Sequence, residues 1–165
     1  MIRQLIISAA LLAATPALAQ EEKPVDPYTQ SDANAGATPF KAGELLAAFH
    51  GEEGVGRIVD DLVDRSVVDP RIEEIFKATD LVRLRRTLKE QIAYILGAPV
   101  AYTGRDMVSS HKDQGINTTE FNALVENLQV SMETEGVPFR AQNQLLSKLA
   151  PMKRDVVTRY PKPRP

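Results

Sequence analysis

From Val55 to Val156 apolar side chains return every three or four residues, and no run alternates apolar with polar. The first spacing draws one apolar stripe along a helix, whereas a half-buried strand would need the second. An all-α fold follows. Val55, Ile58, Val59, Leu62 and Val63 form one stripe, ended at Asp69-Pro70 because a proline disfavours a helical residue before it. Ile72, Ile75 and Phe76 allow a further short turn. Thr79-Asp80 supplies a cap for a helix carrying Leu81, Leu84, Leu88, Ile92 and Ile95, which Gly97-Ala-Pro99 stops. A short segment then ends in His111. Asn117 or Thr118 caps a helix with Phe121, Leu124, Val125, Leu128 and Met132, and Gly136 closes it. Pro138 suits the first turn of a final helix bearing Leu145, Leu149, Met152 and Val156, with a kink expected at Pro151. The expectation is five or six helices, two of them short, around one core.

The flanks read differently. In residues 1–19, Arg3 precedes an apolar stretch from Leu5 to Ala14, and Ala17-Leu18-Ala19 offers small residues for cleavage, the pattern of a signal peptide. That stretch is too short to cross a bilayer, which takes about 20 apolar residues, and no later segment comes near. The expected mature chain begins at Gln20 and lies in the periplasm or outside the cell. Residues 20–39 carry too little apolar area to offset the entropy of ordering and read as a disordered linker. Residues 40–158 form the expected domain, and 159–165, rich in proline and cations, a tail.

Reactive groups are few. With no cysteine, stability rests on the core and on what it binds, and a thioether-linked c-type haem is excluded. The formal charge is −2, or −3 once Arg3 leaves with the leader, and the two signs are interspersed, so no nucleic-acid footprint is visible. No Gly-rich phosphate loop, nucleophile elbow or paired-histidine zinc motif is present. Gly51-Glu-Glu-Gly54-Val-Gly56 is a poor phosphate cradle, because two glutamates repel an anion and no lysine follows. Of the two histidines, His50 sits at a helix junction and His111 ends a short segment before the polar turn Lys112-Asp-Gln-Gly115.

The order of elements around His111 resembles that of the group 1 truncated haemoglobins, over about Leu45 to Val157. The matching stretches are Gly51-Glu-Glu-Gly54 leading into Val59-Asp-Asp-Leu62, Asp69-Pro-Arg-Ile72 with Phe76, Thr79-Asp80 before Arg83-Leu84, Gly97-Ala-Pro99 and Tyr102-Thr-Gly104. Met107 follows, four residues before His111, then Gly115-Ile116, Phe121, Gly136-Val-Pro138 and Leu149-Ala-Pro151. The resemblance implies a truncated globin, a two-over-two helical sandwich, with non-covalent haem b between the helix of Leu84 and Leu88 and the segment of His111. It makes His111 the proximal iron ligand and Phe76 the ring on the haem face. It places Thr79, Leu81, Leu84, Leu88, Tyr102, Met107, Ile116 and Phe121 in the pocket lining. Arg83, Arg85 and Arg86 stand on the adjacent helix, where guanidinium groups could pair with propionates.

The distal side departs from the family pattern. Where many relatives hold oxygen with a tyrosine and a glutamine, this chain aligns Val63 and Leu88. Losing donors worth about 1.5–3 kcal/mol should speed oxygen escape roughly ten- to hundred-fold. Gln91 is the expected replacement donor, since at about 100° per residue it lies within roughly 20° of Leu84 on the same stripe. The implied function is reversible binding of a diatomic gas, namely oxygen, nitric oxide or carbon monoxide, with an electron donor as a partner if the iron turns over nitric oxide or peroxide. A haem-free helical interaction module is the alternative from a different class.

Overall fold

The computed structural model describes residues 21–41 and 43–159. The expected signal peptide and residues 160–165 of the expected tail lie outside the described residues. Eight α-helical pieces appear among these: α1 (Glu44–Ala48), α2 (Gly51–Ser66), α3 (Glu73–Phe76), α4 (Leu81–Ile95), α5 (Met107–His111), α6 (Thr118–Thr134), α7 (Phe139–Leu149) and α8 (Lys153–Val156). The fold is all-α, and the long helices form the expected two-over-two sandwich: α2 packs on α4 and on α6, and α7 folds back beside α6.

Local chemistry explains the boundaries. The α2 stripe buries Val55, Ile58, Val59, Leu62, Val63 and Ser66. Glu52 and Glu53 lie in its first turn and Arg65 in its last, each complementing the helix dipole. Gly54 lets α2 start tight against α1, because a Cβ there would sit 2.0 Å from the Phe49 carbonyl oxygen. The Asp80 side chain caps α4 by accepting the Val82 and Arg83 N–H groups, both at 3.1 Å. A reciprocal box begins α6: Asn117 accepts from Glu120 N–H while the Glu120 carboxylate accepts from Asn117 N–H. Gly136, at φ 78°, then supplies the left-handed residue that ends the helix.

Two expectations need correction. Pro151 does more than kink the last helix: α7 stops at Leu149, a 3₁₀ turn spans Ala150–Met152, and α8 follows. A proline lacks the N–H that a continuous helix would require here. Residues 21–39 of the expected disordered linker lie along the domain, with a 3₁₀ turn at Asp32–Ala35 and hydrogen bonds to α4 and to the loop before α5. Their own apolar area is small, as the composition says, so the order comes from partners supplied by the rest of the chain, both polar groups and the apolar surface that Ala35 and Ala37 meet.

The core lies where α2, α4, α6 and α7 meet. Phe49, Ile58, Ile95, Leu96, Met132 and Leu145 are its largest fully enclosed side chains, each worth about 1.5–3 kcal/mol of hydrophobic stabilisation. At the other end of the domain, the C-terminal stretch is tied to the loop after α5, where Thr158 and Arg159 N–H both donate to the Ile116 carbonyl at 3.0 Å.

Candidate functional site

Between α4 and α5 lies a cavity of about 540 Å³, within the usual range for cofactor sites. α2 gives it Leu62, Val63 and Ser66, α3 gives Ile75 and Phe76, and α6 gives Phe121, Leu124, Val125 and Leu128. The wall is predominantly apolar. Phe76, Thr79, Leu84, Leu88, Tyr102, Met107, His111, Ile116 and Phe121 all line it, as do Val63 and Gln91. Leu81 does not: it packs instead at the margin of the hydrophobic core, at the edge of the stripe that Leu84, Leu88 and Gln91 share.

Some lining residues escaped the sequence reading. Leu124, Val125 and Leu128 follow Phe121 at helical spacing, so extending its stripe would have found them. Val25 and Tyr28 are also in the wall, the two bulky side chains of an otherwise polar stretch.

His111 ends α5, a five-residue helix whose start is fixed by Asp106, whose side chain accepts the Ser109 N–H at 2.9 Å. Its Nδ1 lies 2.8 Å from the Met107 carbonyl oxygen. A carbonyl can only accept, so Nδ1 carries the proton and Nε2 keeps its lone pair. Burial pushes the imidazole pKa down, opposed in part by that hydrogen bond. The ring on the cavity wall is therefore the neutral form, with one nitrogen anchored and the other available to a metal.

The hydroxyl groups of the wall are committed to the backbone. Every hydroxyl in it donates to a backbone carbonyl: Ser66 to Leu62, Thr79 to Ile75, Thr87 to Arg83, Tyr28 to Thr103, and Tyr102 and Ser110 to Arg105. Burial moves the Tyr102 phenol up to about 12, so it stays protonated. Gln91, expected to offer a donor on this face, has its amide nitrogen 2.8 Å from the Ala35 carbonyl and 3.5 Å from Met107 Sδ. Its N–H groups are spent on the N-terminal segment and on a thioether.

Cations gather at the edge of the cavity. Arg83 and Arg105 line it; Arg86 stands beside it, paired with Glu22 and Glu90. Arg85, from the same helix, instead faces α2 and pairs with Asp60 and Asp64, at 3.2 and 2.5 Å.

Comparison with known proteins settles the kinship. The model of the bacterial-like globin family matches residues 45–158. The chain belongs to that family. Among curated relatives of this globin, the group 1 truncated hemoglobin LI410 of Chlamydomonas moewusii is 30% identical over 128 residues, covering 74% of this chain and 75% of its own. The group 1 truncated hemoglobin GlbN of Mycolicibacterium paratuberculosis is 28% identical over 108 residues, covering 66% and 79%. In fold, the globin is similar to the truncated hemoglobin of Tetrahymena pyriformis in its Fe(III) form, with a TM-score of 0.66 at 23% identity over 68% of this chain and 97% of the other.

The residues present fit haem b, the group of this family, held without a covalent link. A flat apolar macrocycle needs an apolar wall, a neutral imidazole with a free nitrogen, and cations near its carboxylates. The cavity, His111 and the guanidinium groups of Arg83 and Arg105 supply the three.

Proposed function

We propose that this globin binds haem b with His111 as the iron ligand and takes up a diatomic gas. When bound, haem supplies an iron centre able to ligate oxygen, carbon monoxide or nitric oxide. The protein's part is to hold and shield it. His111 would be kept in register by the Met107 carbonyl, Phe76 and Phe121 would pack against the ring system, and Leu84 and Leu88 would keep water from the gas side. The observation that carries the reading is the His111–Met107 hydrogen bond, at 2.8 Å, on an imidazole that lines an apolar cavity.

The same wall favours weak retention of oxygen. A bound dioxygen gains about 1.5–3 kcal/mol from a well-placed donor, and here the six hydroxyls and the Gln91 amide are committed elsewhere. Fast oxygen release, with less discrimination against carbon monoxide and nitric oxide, is the expected behaviour. Residues 1–19 would direct the protein out of the cytoplasm.

An absorption spectrum tests the reading. Protein from residue 20 onward, wild type and His111→Ala, is reconstituted with haem, reduced and exposed to carbon monoxide. The wild type should give a stoichiometric Soret band that shifts with the gas, and the variant a weaker band or one of different spin state. An unaltered spectrum in His111→Ala would remove His111 as the ligand. No specific haem uptake by the wild type would refute haem binding altogether and leave the interaction module.

A further inference from the structure

Residues 21–40 precede the stretch that matches the globin family, yet they form part of the cavity wall through Val25 and Tyr28. Their anchors fall on two elements. On α4 and its cap, the Lys23 N–H donates to the Asp80 carboxylate at 2.7 Å, Gln91 donates to Ala35 and the Phe40 N–H donates to the Ile95 carbonyl at 2.8 Å. On the loop before α5, the Tyr28 hydroxyl donates to the Thr103 carbonyl at 2.7 Å and the Tyr102 N–H donates to Asp32 at 2.8 Å. Arg105 donates to the Asp26 carbonyl at 2.8 Å and lies 5.0 Å from the centre of the Tyr28 ring. The segment thus joins the helix on one side of the cavity to the loop that leads into α5 and His111 on the other.

Its outer end is latched by charge. The Glu22 carboxylate meets Arg83 at 3.2 Å and Arg86 at 2.5 and 3.0 Å. The Arg86 hydrogen bond, with both guanidinium charges, holds the Glu22 pKa below the ordinary glutamate range. Gly36, at φ 79°, makes the turn that aims the Ala35 carbonyl at Gln91, and a side chain there would press on Met107 and Met152.

We propose that residues 21–40 are a strap belonging to the haem site: Val25 and Tyr28 close one edge of the cavity, and Glu22 latches the strap to Arg83 and Arg86, slowing haem loss. The inference rests on the haem reading above. Opening the gap between α4 and the His111 loop requires these anchors to part, so the strap acts on escape rather than on the iron itself. Breaking contacts at a binding surface changes mainly the dissociation rate.

The test is transfer of haem from the loaded protein, residues 20–165, to excess apomyoglobin, followed at the Soret band. Glu22→Ala should speed haem loss by about threefold, Arg86→Ala by less because Arg83 still holds Glu22, and the double variant should be little faster than Glu22→Ala. Tyr28→Ser, which keeps the latch but opens the wall, should speed it as well. Hydrogen exchange on the haem-free protein supplies a second reading: the Lys23 and Phe40 amides should be protected in the wild type, and Glu22→Ala should expose Lys23. Normal haem uptake with unchanged loss in Glu22→Ala and Tyr28→Ser overturns the strap alone. Failure of the wild type to bind haem overturns the haem reading beneath it, whatever the exchange pattern.

Discussion

Along α4, residues 81–90 are all partly exposed, whereas Gln91, Ile92, Ala93 and Ile95, barely a turn further, are shut away from solvent. One helix spends its apolar side chains in two ways. Ile95 belongs to the core with Val55, Ile58 and Val59 and does not touch the cavity, while Ile92, one turn before it, is in both. Leu84 and Leu88 stand on the cavity wall, where they gain less from packing and decide what the site will accept. Within fifteen residues the weight thus passes from ligand chemistry at Leu84 and Leu88, which also touch the core, to stability at Ile95.

The largest expected effect tests the core end. Ile95→Ala should cost about 2–5 kcal/mol in denaturant unfolding of the haem-free protein, the usual toll of a cavity in a close-packed interior. Leu84→Ala should cost less than half as much, and an equal cost would erase the distinction between the two ends. At the cavity end, Leu88→Gln places a donor on the gas side. Stopped-flow dissociation of oxygen should slow roughly ten- to hundred-fold, and no change would mean that Leu88 does not face the gas.

Gln91 sits on the boundary and sharpens the division. Gln91→Leu should leave oxygen dissociation unchanged, since its amide serves the Ala35 carbonyl, while lowering stability by about 1–2 kcal/mol through the orphaned acceptor. Slower or faster oxygen release would return Gln91 to the gas side.

The smallest effect lies outside α4, where Glu135 joins Arg57 of α2 and His50 at the α1–α2 junction. Arg57 first, then His50, holds the Glu135 pKa at about 2. A depressed carboxylate stabilises the fold at pH values above its unfolded pKa, and this is lost as pH falls toward 2. Glu135→Gln should thus flatten the acid limb of stability against pH and lower Tm by about 2–4 °C near neutrality, with haem loss unaltered.

Much of this was legible in the sequence, because helix stripes and caps are local signals. Asp80, Asn117 and Gly136 each act at the boundary expected of them, and the match at His111 placed a neutral imidazole on the cavity. What the local signal missed depends on distant partners. The strap looked like a linker because composition reports what a segment can bury by itself, while Glu22 finds its arginines some sixty positions away. Gln91 lies at the right angle on α4, but the direction of its amide is decided by Ala35, on a segment that helical periodicity does not describe. Leu81 differs for a simpler reason: a stripe about 100° wide leaves its edge residues free to face a neighbour instead.

The hydroxyls that line the cavity and bond to their own backbone also set its character as a medium. To a small molecule arriving from water, the apolar part of that wall offers contact without a hydrogen-bond donor, much as a droplet of oil would. Diatomic gases are small and apolar and dissolve better in oil than in water, so they would partition into this space whether or not a metal stands in it. The protein would thereby raise the local concentration of every such gas alike, acting first as a solvent and only then as a ligand site.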